Sequence, residues 1–266
     1  MSNITPLIAL FSLVACTGTP KESTDDSSTT GDDSTDDSAA VTTYTLRARA
    51  TLFSTAQEAA PEGSCVTLLN PAAGLEGGTP ETFGETTVGS NGEFGFDDVP
   101  LWEAPPLIIV DDCQANPPTL FPTGTPVPPP LLENIKPGDV LADVQAAAIP
   151  VETFDGLQTA LSAAGSTTAI PTDGMMIGFV WDKDHKGIEG ATLTGGSTVY
   201  YGDTDAADGL FTTGGSPNTK TSSTGLWVIP GAPIGTYGAQ AAGRTFPNWT
   251  AGAIPRGAMV LIFEAQ

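Results

Sequence analysis

From Tyr44 to Leu52 the chain alternates without a break, with Tyr44, Leu46, Ala48, Ala50 and Leu52 on one side and Thr45, Arg47, Arg49 and Thr51 on the other. A period of two means a β-strand with one buried face and one wet face. Short runs of the same kind follow, each bounded by turn residues: Cys65 to Leu69, Glu93 to Phe96 behind the turn Gly89 to Gly92, and Pro106 to Val110. A second series holds Met175 to Trp181, a hairpin through Asp182 to Gly187 into Ile188 to Leu193, and then Thr198 to Tyr201, Gly225 to Ile229, Gly235 to Ala239 and Ala258 to Phe263. With 31 Gly and 23 Pro to punctuate them, these runs stay short. The pattern predicts an all-β chain of two small β-sandwich modules, residues 43–113 and 171–266.

The stretch between them, 114–170, reads as a connector. Residues 114–130 hold seven prolines, which favours an extended, polyproline-like path over a packed element. A run from Asp139 to Ile149 has strand character. Residues 152–164 place Phe154, Leu157, Leu161 and Ala164 at helical spacing and stop at Gly165, predicting one short helix with a packing face.

The amino-terminal end reads as an address. The apolar run Pro6 to Cys16 is shorter than the ~20 residues that span a bilayer and matches a signal-peptide core. Leu13-Val14-Ala15-Cys16 resembles the bacterial lipobox, which implies cleavage after residue 15 and a diacylglycerol on Cys16. The leader lacks the usual Lys or Arg in Met1 to Ile4, and a buried apolar strand is the competing reading. Residues 16–42 follow as a Ser/Thr/Asp-rich tether with seven acids. Too little of it can be buried to offset the ordering entropy, so it is expected to be disordered, with an end-to-end distance of roughly 28 Å. The protein is expected at the bacterial cell envelope, lipid-anchored, in the outer membrane.

Nine Lys plus Arg against 31 Asp plus Glu give a formal net charge of −22, which excludes nucleic-acid binding and a polybasic dock on lipid. With Cys16 assigned to lipid, Cys65 and Cys113 remain as an even pair. In an oxidising compartment they are expected to form a disulfide, the alternative being two buried thiols.

In the second series, the Gly178-x-Val180 pair, the Asp/Gly turn, Gly190-Ala191, and the run Thr221-x-x-x-Gly225-x-Trp227-x-Ile229-Pro230-Gly231-x-Pro233-x-Gly235-x-Tyr237 together resemble the carboxypeptidase regulatory-like domain. A fainter version, Thr87 to Pro100, lies in the first module. The resemblance implies a transthyretin-like β-sandwich with no chemistry of its own, and so a binding or scaffolding role.

The residues offer little chemistry of their own. His185 is the sole imidazole and sits in a turn between Lys183 and Lys186, a solvated setting unsuited to a catalytic base. No set of three or four N/S ligands for zinc can be assembled, and Gly214 to Lys220 lacks the Gly-Lys-Ser/Thr ending of a phosphate loop. Asp203, Asp205 and Asp208 form the best-defined acid cluster. They are read either as an Asx-rich turn or as hard oxygen ligands for calcium, with no other cofactor expected. Trp102, Trp227, Trp249, Tyr200 and Tyr201 are either core or a stacking platform for sugars. The preferred function is a non-enzymatic lipoprotein that binds or holds an unknown envelope protein or glycan. The alternative is an extracellular, glycosidase-like hydrolase using a carboxylate pair.

Overall fold

A computed structural model describes residues 42–53, 58–204 and 209–266. Residues Ala40–Gln266 form one compact unit, and its strands are β1 Thr43–Leu52, β2 Cys65–Asn70, β3 Glu81–Thr87, β4 Glu93–Pro100, β5 Leu107–Asp111, β6 Leu120–Phe121, β7 Thr123–Pro126 and β8 Val140–Pro150 in the first half. The second half holds β9 Met175–Trp181, β10 Thr192–Thr194, β11 Tyr200–Tyr201, β12 Thr212–Thr213, β13 Ser216–Pro217, β14 Leu226–Pro230, β15 Gly235–Gln240, β16 Trp249–Ala251 and β17 Ala258–Glu264. Helix α3 covers Val151–Ala163, and single turns α1 Ala72–Leu75, α2 Pro129–Leu132 and α4 Ile170–Asp173 complete the set. The chain is all-β, and the expected signal peptide and tether lie outside the described residues.

The alternation in β1 is realised as read: Tyr44, Leu46, Ala48 and Ala50 are buried, and Arg47 and Arg49 are exposed. β1 lies in a four-stranded sheet, antiparallel to β4 and parallel to β8. Opposite it, β2 and β5 supply Val66, Leu68, Ile108 and Val110 to the same core. The disulfide Cys65–Cys113 joins the start of β2 to the residues just after β5, with Cα atoms 5.1 Å apart.

β2, β5 and β7 do not end in a separate module. They belong to an eight-stranded sheet of order β11-β14-β9-β17-β7-β5-β2-β3, in which β17 runs parallel to both β9 and β7. The Pro-rich segment 114–130 therefore departs from the expected unpacked path, since it forms β6, β7 and α2. Its prolines fall where a ladder needs no N–H: Pro122 lies between β6 and β7, Pro126 ends β7, and Pro129 opens α2. Pro122 also accepts a hydrogen bond from the Ala258 amide through its carbonyl, at 2.8 Å.

β9 and β17 are covered on both faces, which explains why they read as near-continuous apolar runs. On one face, α3 packs Phe154, Leu157 and Leu161 against Met175, Ile177, Val228 and Val260. On the other, the three-stranded sheet β10-β15-β16 packs Tyr237 and Trp249 against Met176, Trp227, Leu261 and Phe263. The helix ends as expected at Gly165, at φ +91°, where Ser166 N–H returns to the Leu161 carbonyl at 2.9 Å.

The hairpin expected from β9 into 188–193 is only begun. Ile188 N–H reaches Val180 O at 2.9 Å, after which the chain crosses and Thr192–Thr194 pairs with β15. The crossing is held by Thr221, 3% exposed, whose hydroxyl donates to Ile188 O at 2.6 Å and accepts from Ala191 N–H at 2.9 Å. An isosteric valine there would orphan two buried backbone groups.

Tyr44 is 3% exposed, and its hydroxyl has no hydrogen-bond partner. Burial pushes its pKa from 10.0 up to about 12. The unfolded phenol ionises near pH 10 and the folded one does not. Stability from this group is therefore intact below pH 10 and falls as pH rises toward 12. Denaturation curves across that window should show the decline, and Tyr44→Phe should flatten it. An equal slope in both proteins would refute the assignment.

Candidate functional site

Of the acidic cluster, Asp203 is described, and Asp205 and Asp208 lie outside the described residues. Asp203 Oδ1 accepts from Thr204 N–H at 2.6 Å, Oδ2 accepts from the Thr213 hydroxyl, and the Asp203 amide donates to Leu210 O at 2.6 Å. These contacts fasten Asp203 to Thr204, Leu210 and Thr213. Cys16 also lies outside the described residues.

His185 sits at the tip of the turn after β9, at φ +58°. The turn is organised by Asp182, whose Oδ1 accepts from Asp184 N–H at 2.9 Å and Lys186 N–H at 3.0 Å. The Lys186 amide, with Asp184, Arg244 and the Lys186 charge behind it, holds the Asp182 carboxyl below its ordinary range. That is the wrong direction for a general acid, which needs a raised pKa. His185 itself has a 66% exposed side chain, with Nε2 4.0 Å from Glu264. Its ring stacks on Trp181 at 5.7 Å. Among the described residues, no hydroxyl or thiol makes a hydrogen bond to its ring. His185→Ala is expected to change stability by less than about 0.5 kcal/mol, read from urea curves at neutral pH. A loss several times larger would mean that the turn depends on the imidazole.

The aromatic residues divide sharply. Trp227, Trp249 and Tyr201 are 0%, 7% and 5% exposed and belong to the core, which settles their two readings in favour of packing. Trp102 lies half-buried against the first core, edge-on to Phe83 at 5.8 Å. Tyr200 is half-buried at the sheet edge in β11 and lines a surface depression.

A second aromatic group was not visible in the sequence. Phe53, Phe179, Trp181 and His185 form a ladder with successive ring centroids 5.2, 4.7 and 5.7 Å apart and near-parallel planes. Phe179 and Trp181 stand two apart in β9, a spacing that announces a shared face. Phe53 comes from beyond β1, which no local signal reveals. The rings cover one another's faces, so the ladder offers mainly edges to a ligand and suits packing better than sugar stacking.

The depression at Tyr200 is about 380 Å³. One wall is the loop after α3, with Ser166, Thr167 and Thr168; the other is the approach to β11, with Ser197, Thr198 and Tyr200. Both walls are pinned from behind. Gln158 in α3 accepts from Ile170 N–H at 2.8 Å and donates to Ser162 Oγ at 3.0 Å and Thr168 O at 3.4 Å. On the other wall, the buried Tyr201 hydroxyl accepts from Leu193 N–H at 2.8 Å. The lining carries hydroxyl groups and no charged side chain. A further depression of about 500 Å³ lies beside Asp182, Lys183, Asp184 and Arg244, where opposite charges alternate.

No family model matches the chain, and comparison with curated proteins finds no match. Among solved structures it is similar to the shaft pilin SpaA of Lactobacillus rhamnosus GG, at 12% identity over 85% of this chain and 98% of that one, with a TM-score of 0.27. It is also similar to a streptococcal ancillary pilin, at 13% identity, 84% and 62% coverage and a TM-score of 0.23. Two B repeat units of the collagen binding protein of Staphylococcus aureus match at 13% identity, 84% and 49% coverage and a TM-score of 0.24. TM-scores of this size carry no inference about function, and the fold assignment stands on the strand pairing above.

Proposed function

We propose that this chain is a non-enzymatic β-sandwich lipoprotein of the bacterial cell envelope, anchored by Cys16 and carried on the acidic tether 16–42, whose role is to bind or hold an envelope component. The observation that supports it most is the continuous sheet. With β17 seated between β9 and β7, the strands of both halves share one hydrogen-bonded frame. A frame of this kind presents surfaces and loops at fixed positions. In this reading residues 171–266 act as a carboxypeptidase regulatory-like module, a role that suits a binding or scaffolding part better than a hydrolase.

The anchor follows from the Leu13 to Cys16 motif and the tether behind it, and Thr17 after the cysteine fits outer-membrane sorting. Intact-mass analysis of the native protein is expected to show loss of residues 1–15 and added acyl mass, with the protein in the membrane fraction. An unmodified terminus at Met1 or Ser2 would overturn the anchor.

A further inference from the structure

We propose that the depression between the loop after α3 and β11 is a binding site for an uncharged glycan, with Tyr200 as its stacking residue. This rests on the binding role proposed above and gives it a location and a ligand class.

Four observations converge. The volume, about 380 Å³, falls within the roughly 300–1,000 Å³ of small-ligand clefts. The side-chain hydroxyls of Thr167, Ser197, Thr198 and Tyr200 make no hydrogen bond to another described residue, whereas Thr221, Thr213 and Tyr201 elsewhere are all engaged. A hydroxyl both donates and accepts, so such a group of them matches a polyol, whose own hydroxyls do the same. Third, Tyr200 meets Phe211 in a T-shape, with ring centroids 6.3 Å apart. That contact leaves Tyr200 half-buried at the sheet edge, where it lines the depression. Finally, both walls are held by buried or hydrogen-bonded anchors, Gln158 on one side and Tyr201 on the other, which lowers the ordering cost of binding.

Charge selects the class within the glycans. The lining holds no Lys or Arg to meet a uronate, sulfate or phosphate, and the chain's net charge of −22 repels such ligands at longer range. A cationic ligand would need a carboxylate, and the lining has none. An uncharged sugar avoids both penalties.

The test uses the intact chain on an array of immobilised hexose and N-acetylhexosamine oligomers, with oligomers of uronic acids as charged comparators, and calorimetry on the best hit. Binding to an uncharged oligomer is expected. It should weaken at least tenfold in Tyr200→Ala, weaken less in Tyr200→Phe, and stay unchanged in Trp181→Ala. Thr198→Arg, at an exposed position, should block the cleft without disturbing the core. It keeps the test decisive if Tyr200→Ala does not fold. The proposal is overturned by binding to none of the uncharged oligomers, by binding confined to uronates, or by binding that survives both Tyr200→Ala and Thr198→Arg. Acylation of Cys16 is measured separately, so an empty array with an acylated protein refutes the site and leaves the envelope reading standing. A bound sugar on an unacylated protein does the reverse.

Discussion

Gly178→Ala is expected to destabilise the protein by about 4 kcal/mol or more, the upper range for overpacking a core. Gly178 lies in β9, opposite Leu261 of β17 on one side and Trp227 of β14 on the other. A Cβ placed there would stand 1.7 Å from the Leu261 carbonyl oxygen and 2.9 Å from the Trp227 ring. The nearest obstacle is backbone, which cannot swing aside as a side chain can. β17 would have to move, and β17 is also the strand that ties β9 to β7. The injury would therefore spread to both halves of the sheet. Gly156, on the exposed face of α3, has nothing within 4 Å of its would-be Cβ. The same substitution there should stabilise by roughly 0.5–1 kcal/mol through helix propensity. Urea denaturation of the two variants should give changes of opposite sign. A Gly178→Ala protein within 1 kcal/mol of the parent would show that the β9–β17 joint is looser than the structure has it.

Removing the Cys65–Cys113 bond has the next largest expected effect. The bond joins residues 48 apart in sequence, and in the chain-entropy model a loop of this size adds about 4 kcal/mol of stability by restricting the unfolded chain. The native ends are already close without it. β2 and β5 pair antiparallel with Cys65 opposite Asp111, and the Asp111 carboxylate accepts from the Cys113 amide at 2.7 Å. The double variant Cys65→Ser/Cys113→Ser should therefore keep its fold and lose stability mostly through its freer unfolded state. Its melting temperature should fall, the reduced parent should fall equally, and added reductant should not move the variant further. Equal stability of oxidised and reduced parent would contradict this account.

Local chemistry made much of this architecture legible. The period of two in β1, the turn residues around each short run and the 3.6-residue spacing of Phe154, Leu157 and Leu161 are properties of adjacent residues. They foretold strands and one helix within a residue or two of Val151–Ala163. The cysteine pair was likewise readable, because its logic is a count and a compartment. The candidate site was barely legible. Tyr200 was named only as one of five aromatics, and its partners Ser166 to Thr168 were passed over as loop.

By itself, then, the amino-acid sequence determined the class of the fold, the places of several strands and of α3, and the acidity of the chain. Tertiary structure decided which strands are neighbours. Parallel pairing of β17 with β7 joins segments more than a hundred residues apart, and neither carries a local mark of the other, since one register of an apolar strand looks like the next until side chains interlock. Pairing with β5 drew the Pro-rich segment into the sheet as β7, and the β17–β7 pairing made one frame of two expected modules. With α3 packed on that frame, the hydroxyls of the loop after α3 line a common cleft with Tyr200. Pairing of this kind depends on complementary surfaces that exist only after the chain has folded.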